Sequence, residues 1–354
     1  MALGRGMALN ARMILAGDIG GTKVNLGIFE CEDRRVKMMG EGTFPSQKYP
    51  RLADILREFL TGAGWPAISR ACLGVAGPVR KGRAELTNLP WNIEAVEIAM
   101  ELKFGAVSLI NDLEANAYGL AQLGPDDFHV LNAGEPGTSG NAALISAGTG
   151  LGEAGLFWDG KQHHPFACEG GHSDFAPQTV VDAELFDYLH QKLGHVSWEK
   201  VLSGAGLKNC YQFLRDTKRG AEPAWLTDEL GRGDAAAIIS QSAMAASDTL
   251  CSQALDLFVT YYGAEAGNLA LKLMSTGGIF IGGGIAPKIL PKLSGGKFME
   301  ALVEKGRMKP LLSAMPVKVI LNPKTALLGA AHYAAFGREG FNVTQPQINA
   351  DGGG

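Results

Sequence analysis

The sequence predicts an α/β protein of two domains, because one local pattern occurs three times along the chain. In each case an apolar run typical of a buried strand leads directly into a turn rich in glycine. The three strands with their turns are 13–17 followed by Asp18-Ile19-Gly20-Gly21-Thr22, 143–147 followed by Gly148-Thr149-Gly150-Leu151-Gly152, and 279–281 followed by Gly282-Gly283-Gly284. Because glycine has no Cβ, backbone N–H groups in such turns can come close to an anion. The pattern therefore predicts two half-domains that close on one polyphosphate.

Length and composition agree with this prediction. At 354 residues the chain is too long for one ordinary core, and 46% hydrophobic with 19% charged residues is typical of a globular protein. The net charge of −4, without any block of lysine or arginine, argues against a nucleic-acid partner. We expect neither a membrane span, which needs about 18 apolar residues, nor a signal peptide. The five scattered cysteines indicate reduced thiols in a cytoplasmic protein.

The remaining elements alternate between strands and helices, as in α/β proteins. Further strands are predicted at 23–29, 71–75, 107–110 and 317–320. The third of these delivers Asn111 and Asp112 at its carboxyl end, and a helix follows. The segment 234–274 is helical in pattern throughout, and an N-cap signal at Ser247-Asp248 divides it into two helices.

These elements predict the division of the chain into domains. The predicted parts, in chain order, are a disordered extension (1–12), a small α/β domain (13–112), a larger α/β domain (113–324), a helix that packs back on the small domain (about 325–338) and a loose tail (339–354). Met1, Met7 and Met13 are alternative natural starts of the chain.

Six short motifs carry a resemblance to one enzyme family. They are Gly17-Asp18-Ile19-Gly20-Gly21-Thr22, Leu86-Thr87-Asn88, Ile110-Asn111-Asp112, Ala147-Gly148-Thr149-Gly150-Leu151-Gly152, Glu169-Gly170-Gly171-His172 and Val201-Leu202-Ser203-Gly204. In this order they resemble the bacterial ATP-dependent glucokinase family, which belongs to the superfold of hexokinases, actin and Hsp70 ATPases. The resemblance extends over nearly the whole chain. It implies two ribonuclease-H-like (actin-like ATPase) domains, a small and a larger one, with an active-site cleft for glucose and ATP between them.

The glycine turns are the candidates for nucleotide binding. Phosphoryl transfer depends on positioning and on neutralisation of charge, which backbone amides at such turns can supply. The candidate cofactor-binding residues are Gly17, Asp18, Ile19, Gly20, Gly21, Thr22, Gly148, Thr149, Gly150 and, because its loop resembles the family's adenosine loop, Gly283. Asp18 ends its strand where a carboxylate would hold Mg²⁺ through water. The alternative for Asp18 is a residue that only caps the turn.

Asp112 is the candidate general base. It follows the carboxyl end of a strand, where α/β folds gather their ligands. Its carboxylate would accept the proton of a sugar 6-hydroxyl as that oxygen attacks the γ-phosphate. The alternative is that Asn111 and Asp112 only cap the following helix. The resemblance favours the catalytic role, and it implies transfer from ATP to glucose to give glucose 6-phosphate and ADP.

The candidate sugar ligands are side chains that can form paired hydrogen bonds with a polyol. They are Asn88, Asn111, Asp112, Glu169, His172 and Glu199. By resemblance Glu169 and His172 bind the hexose, and Glu199 matches a further sugar-binding glutamate on a later helix. The alternatives are a solvated helical glutamate and a structural histidine.

Other functions remain to be weighed against a glucokinase. Within the same class, the substrate could be another hexose or the donor polyphosphate. A non-catalytic sugar sensor has the same fold, and a repressor would need a DNA-binding module ahead of the first strand. An actin- or Hsp70-like ATPase would lack the polyol-binding cluster. Zinc is not expected, because no further thiol accompanies Cys168. The expected partners are glucose and ATP, with no nucleic acid or membrane, and family habit suggests a homodimer.

Overall fold

The computed structural model of the chain describes residues 12–32, 35–61, 67–86, 89–338 and 340. The predicted extension, apart from Arg12, and most of the predicted tail lie outside the described residues. Within these residues the chain divides into two compact units. The first unit comprises the described residues up to Gly124 and those from Lys324 onward, and the second unit comprises Pro125–Pro323.

The described residues contain fourteen β-strands in three sheets. They are β1 (Arg12–Ile19), β2 (Lys23–Glu32), β3 (Arg35–Pro45), β4 (Arg70–Val75), β5 (Val79–Arg80), β6 (Arg83–Glu85), β7 (Asn92–Glu94), β8 (Val107–Asn111), β9 (Phe128–Asn132), β10 (Ala142–Ala147), β11 (Leu151–Trp158), β12 (His163–Cys168), β13 (Gly278–Gly282) and β14 (Val317–Ile320). The seven strands predicted from apolar runs are all present, as β1, β2, β4, β8, β10, β13 and β14. The mixed α/β class is confirmed.

The same part of the chain contains twelve α-helices. They are α1 (Leu52–Thr61), α2 (Ala95–Leu102), α3 (Asp112–Gly119), α4 (Val180–Leu193), α5 (Gly204–Asp216), α6 (Ala224–Arg232), α7 (Ala235–Met244), α8 (Thr249–Leu273), α9 (Leu290–Leu293), α10 (Lys297–Val303), α11 (Lys309–Ser313) and α12 (Thr325–Phe336). Single 3₁₀ turns are formed by Pro125–Asp127, Gly170–His172 and Trp198–Lys200, and the last two contain the candidate residues His172 and Glu199.

The first unit is built on a five-stranded sheet with the order β3-β2-β1-β4-β8. The strands β3, β2 and β1 are antiparallel neighbours, whereas β1, β4 and β8 run parallel. Ile19, Val75 and Asn111 lie in one row across the three parallel strands. Consequently the residues that follow these strands all emerge at the same edge of the sheet.

The predicted end of the small domain at Asp112 differs from the structure, where the first unit includes α3. The reason is that α3 packs against α12. A Cβ placed on Gly329 would lie 1.7 Å from the carbonyl oxygen of Ala115, and one on Gly119 would lie 2.1 Å from that of Thr325. The backbones of the two helices are therefore in direct contact, and α12 also packs against β1 and β4. The sequence predicts that the last helix packs on the small domain, but a pattern read locally does not show that this helix contacts α3.

The second unit is built on a six-stranded sheet with the order β12-β11-β10-β13-β14-β9. The strands β12, β11 and β10 are antiparallel, and β10, β13 and β14 run parallel. This sequence of pairings is the same as that of the first unit, and only β9, antiparallel to β14, is added. Around the sheet, α8 and its neighbouring helices form the largest hydrophobic core.

The two helices predicted in 234–274 are confirmed as α7 and α8. Asp234 caps α7 and Asp248 caps α8, where its carboxylate accepts a hydrogen bond of 2.7 Å from the Cys251 amide. Side-chain oxygens at N-caps satisfy backbone donors that the helix leaves unpaired. In the described ranges, no helix combines the length and the apolar character that crossing a membrane requires.

The contact between α3 and α12 gives a test of the first unit. Gly329→Ala places a methyl group where the backbone of α3 now lies, so we expect the free energy of unfolding to fall by about 1–3 kcal/mol or more. The measurement is urea denaturation followed by circular dichroism. The control is Gly231→Ala in α6, where a Cβ would meet nothing within 4 Å. There, helix propensity predicts a gain of up to about 1 kcal/mol, and equal effects of both changes would contradict the packing argument.

Candidate active site

The first group of candidate residues lies at the carboxyl edge of the parallel strands of the first unit. Asp18 is opposite Gly74 on β4, and Asn111 ends β8. Neighbouring strands are about 4.8 Å apart, so β1 and β8 are about 10 Å apart at this edge. A Cβ on Gly74 would lie 2.8 Å from the Cβ of Ala115 and 3.9 Å from the Cα of Asp112. The missing side chain at Gly74 therefore lets the start of α3 approach the sheet.

Asp18 is half-buried at the end of β1. Its Oδ2 accepts a hydrogen bond of 3.1 Å from the Asn25 Nδ2, and the Asn25 Oδ1 accepts one of 3.0 Å from the Thr43 hydroxyl. Burial raises the pKa of Asp18, although Asn25 and Lys23 act in the opposite direction. An ionised carboxylate here is incompletely compensated, which favours a nearby cation.

The turn after Asp18 is fixed from both sides. The Gly20 amide donates a hydrogen bond of 3.0 Å to the Lys23 carbonyl. The Ser46 hydroxyl donates one of 2.7 Å to the Gly20 carbonyl, and the Ser46 amide donates one of 3.0 Å to the Thr22 carbonyl. Because these bonds occupy carbonyl groups of the turn, they hold its backbone in one conformation without using the amides of Gly21 or Thr22.

Asn111 and Asp112 have separate positions at the start of α3. Asn111 is the N-cap, since its Oδ1 accepts hydrogen bonds of 2.8 Å from the Leu113 amide and 3.3 Å from the Glu114 amide. Asp112 is half-buried in the first turn, and its Oδ1 also accepts a hydrogen bond of 3.0 Å from Leu113. The positive end of the helix dipole stabilises a carboxylate there. The capping role considered for the pair thus belongs mainly to Asn111.

In the second unit, the glycine turn between β10 and β11 is in contact with Glu199. The Gly148 amide donates a hydrogen bond of 2.9 Å to the Gly150 carbonyl. A Cβ on Gly150 would lie 2.6 Å from the Glu199 Oε2, and the same oxygen accepts a hydrogen bond of 3.1 Å from the Leu151 amide. The Glu199 side chain is only 23% exposed. It belongs to a 3₁₀ turn rather than the predicted helix, and it is not a solvated side chain.

A buried tyrosine connects this turn with the third glycine cluster. The Tyr262 hydroxyl on α8 accepts a hydrogen bond of 3.1 Å from the Ala147 amide and donates one of 3.0 Å to the Gly282 carbonyl. Gly283 has a φ of +86°, and a Cβ there would lie 2.2 Å from the Ala147 carbonyl oxygen. Tyr262 lies within a long apolar helical pattern, so the sequence contained no signal that would have singled it out.

Glu169 precedes the 3₁₀ turn Gly170–His172 that follows β12, and His172 is the last residue of this turn. Their side chains are 63% and 61% exposed, and His172 Nε2 lies 4.0 Å from Glu169 Oε2. The Trp198 amide donates a hydrogen bond of 3.0 Å to the Ser173 carbonyl, which joins this turn to the one that carries Glu199. A carboxylate and an imidazole that are exposed and fixed in this way can bind neighbouring hydroxyl groups of a polyol.

The candidate residues thus form two groups, one in each unit. The first group contains Gly17, Asp18, Ile19, Gly20, Gly21, Thr22, Asn111 and Asp112, and the second contains Gly148, Thr149, Gly150, Glu169, His172, Glu199 and Gly283. The predicted Asn88 lies outside the described residues. Turns that present backbone amides, together with carboxylates at strand ends, define the class as an α/β phosphotransferase with a polyol substrate.

Comparison with known proteins agrees with this class. The family model described as Glucokinase matches residues 15–336. A glucokinase of Nostoc punctiforme is 42% identical over 91% of this chain and 99% of its own, and one of Mesorhizobium japonicum is 35% identical over 91% of each chain. The chain therefore belongs to the glucokinase family of sugar kinases.

Solved structures show the same fold. The crystal structure of a glucokinase from an Antarctic psychrotroph is 32% identical, covers 92% of this chain and 99% of its own, and has a TM-score of 0.79. A ROK family glucokinase from Streptomyces griseus, solved in complex with glucose and AMPPNP, is 22% identical, covers 91% of this chain and 99% of its own, and has a TM-score of 0.62.

Proposed function

We propose that this protein transfers the γ-phosphoryl group of ATP to the 6-hydroxyl of D-glucose, giving glucose 6-phosphate and ADP. The observation that carries the proposal is the position of Asp112, a half-buried carboxylate in the first turn of α3 at the carboxyl edge of the sheet. Its neighbour Asn111 provides the helix cap, so Asp112 is not required for that role. The glucose and AMPPNP of the Streptomyces griseus structure support the choice of both substrates.

The proposal extends to the fold of each unit. We interpret each unit as one ribonuclease-H-like half of an actin-like ATPase fold. The support is the strand order, in which three antiparallel strands are followed by two parallel ones in both units. The proposed base belongs to the first unit and the proposed sugar turn to the second.

In the proposed mechanism Asp112 is the general base. Its carboxylate accepts the proton of the 6-hydroxyl while that oxygen forms a bond to the γ-phosphorus. The bond between the γ-phosphorus and the bridging oxygen breaks, and ADP leaves with the electron pair. Because the transition state is loose, positioning and charge neutralisation contribute most of the rate enhancement.

The nucleotide is held by backbone groups. Amides of the Gly20-Gly21-Thr22 turn and of the Gly148-Thr149-Gly150 turn bind the phosphates, and Gly283 belongs to the loop for the adenosine. Tyr262 supports this arrangement, because its hydroxyl joins the strand ends that precede the second and third glycine turns.

Asp18 is the proposed contact for Mg²⁺. In the described residues, no three His, Cys, Asp or Glu side chains are grouped closely enough to form a metal site by themselves. Mg²⁺ commonly keeps several waters and shares the phosphates of its nucleotide, so one carboxylate suits it. The incomplete compensation of the Asp18 charge agrees with this role. The ion would neutralise charge on the phosphates.

The proposed sugar ligands are Glu169, His172 and Glu199 in the second unit and Asn111 in the first. Glu199 has a second contact, because its carboxylate accepts a hydrogen bond from Leu151 at the glycine turn. The Trp198 amide, in the same 3₁₀ turn as Glu199, donates to the Ser173 carbonyl, so this 3₁₀ turn connects the proposed phosphate-binding turn with the Glu169–His172 turn. Asn88 remains a predicted sugar ligand.

The direct test is an assay of ADP release with purified protein, Mg-ATP and a panel of hexoses. We expect sugar-dependent ADP formation that is strongest with glucose. Activity that is strongest with mannose, fructose or an N-acylated sugar would establish another hexose kinase, and activity only with polyphosphate would change the donor. Glucose binding by calorimetry without turnover on any donor would indicate a sensor.

Substitution of the proposed base gives a second test. Asp112→Asn keeps the size of the side chain but removes its basicity, so kcat should fall by about 10²–10⁴-fold. The dissociation constant for glucose, measured by calorimetry, should change much less. Asp126→Asn makes the same change at an exposed position in the 3₁₀ turn Pro125–Asp127 and should leave kcat unchanged. Near-normal turnover of Asp112→Asn would show that another group accepts the proton.

The tyrosine that joins the glycine turns gives a third test. Tyr262→Phe removes one hydroxyl, leaves the buried Ala147 amide without that acceptor, and should raise the KM for ATP several-fold while the KM for glucose stays constant. Tyr261→Phe is the matched control, since the neighbouring buried hydroxyl donates to Asp182 and contacts neither turn. An equal rise of both KM values in Tyr262→Phe, or the same rise in Tyr261→Phe, would contradict this role.

A further inference from the structure

Two carboxyl groups face each other in the interior of the second unit. Glu153 on β11 is 1% exposed and Glu265 on α8 is 0% exposed. Two ionised carboxylates repel each other and neither is solvated here, so burial and this repulsion favour a proton on one carboxyl group of the pair. Neither residue belongs to the nucleotide or sugar groups described above.

The surrounding charges determine which carboxyl group holds the proton. The Asn268 Nδ2 donates a hydrogen bond of 2.7 Å to Glu265 Oε2, and the Lys272 Nζ lies 3.5 Å from Glu265 Oε1. Lys305 also acts on Glu265 and stabilises its ionised form. Burial raises the pKa of Glu265 as well, but these three groups act in the opposite direction and favour its ionised form, so we assign the proton to Glu153.

Burial and the neighbouring Glu265 raise the pKa of Glu153 to about 8. The positive charge of Lys272 acts on this pKa in the opposite direction. On the other side Glu153 is opposite Cys168 of β12, where burial raises the pKa of the thiol and keeps it neutral, so Cys168 adds no charge beside Glu153. Glu153 is thus a neutral acid at pH 7 that can lose its proton at moderately alkaline pH.

The Glu153 carboxyl group lies directly under the proposed sugar turn. A Cβ on Gly170 would lie 1.8 Å from Glu153 Oε2 and 2.7 Å from its Cδ, so this carboxyl group is packed against the backbone between Glu169 and His172. The other oxygen, Oε1, has no hydrogen-bond partner among the described residues. An ionised carboxylate at this position would face Glu265 without solvation, and the contact with Gly170 leaves it no room to move unless the turn moves.

We propose that Glu153 is a positioning residue for sugar binding, whose neutral carboxyl group holds the Glu169–His172 turn in its binding conformation and whose ionisation releases it. The inference rests on the proposed function, because it takes Glu169 and His172 as ligands of the hexose. Glu153 does not touch the sugar; it acts through the backbone of Gly170.

The inference is tested by the pH dependence of glucose affinity, measured by calorimetry without nucleotide between pH 6.5 and 9. In the wild-type protein the dissociation constant should rise about five- to tenfold from pH 7 to pH 9, following the loss of one proton near pH 8. Glu153→Gln keeps the shape and a donor toward Glu265, so it should retain the pH 7 affinity over the whole range. Glu153→Ala should bind glucose weakly at every pH.

Three controls separate this role from simpler explanations. Cys168→Ala should retain the alkaline loss of affinity, which excludes ionisation of that thiol as its cause. Glu222→Gln changes a partly buried carboxylate that bonds to Tyr211, elsewhere in the second unit, and should leave the profile unchanged. The KM for ATP should not follow the same profile in any of these proteins, because the turn in question does not belong to the nucleotide group.

A readout without substrate tests the protonation itself. Since the folded state raises the pKa of Glu153, it binds more protons than the unfolded chain between the ordinary glutamate pKa and about 8. Stability should therefore fall as the pH rises through that window. The melting temperature of Glu153→Gln should fall less over the same range than that of the wild type.

The outcomes distinguish this inference from the proposed function. A wild-type protein that binds no hexose overturns the proposed function and this role together. If the wild type binds glucose but Glu153→Gln keeps the wild-type pH dependence, only this role is overturned. Should neither Glu153 variant fold, the wild type and Cys168→Ala decide, because constant glucose affinity up to pH 9 in both excludes the proposal.

Discussion

The turns of the second unit depend on three glycines, because each lies so close to a neighbouring group that no side chain would fit. Gly283 lies against the Ala147 backbone, Gly150 against the Glu199 carboxylate and Gly170 against the Glu153 carboxyl group. At each place a side chain would collide with the atom that now fixes the turn. These turns contain or adjoin the proposed phosphate and sugar ligands. Their conformation is therefore set by the buried contacts of the three glycines, whereas the side chains of Glu169 and His172 are exposed.

The two units share one arrangement of strands but carry different functional groups at the edge of the sheet. In each sheet an antiparallel group of three strands is followed by parallel strands whose carboxyl ends share an edge. In the first unit this edge carries two carboxylates: Asp18, which accepts a hydrogen bond from the Asn25 side chain, and Asp112, which accepts one from the Leu113 amide. In the second unit it carries glycine turns joined by Tyr262.

The sequence predicted what is determined locally. Apolar runs located β1, β4, β8, β10 and β13, and the N-cap at Asp248 divided one long helical pattern into two helices, because these signals lie within a few residues of their effect. The end of the first unit differed from the prediction, since α3 is held by α12 from the other end of the chain. Tyr262 and Glu153 were missed for the same reason, because their partners are distant in sequence and neither belongs to a motif.

The chemistry of position 153 supports a role beyond packing. Burying two carboxyl groups together costs stability, because the pair must hold a proton that the unfolded chain would release. Glutamine has the same shape and could donate to Glu265 without that cost. A purely structural requirement is therefore met better by the amide than by the acid. What the acid alone provides is a proton that can leave, at a site that is packed against the backbone of Gly170 in the proposed sugar turn. Ionisation of Glu153 and the conformation of that turn are coupled by contact, so any agent that shifts one must shift the other.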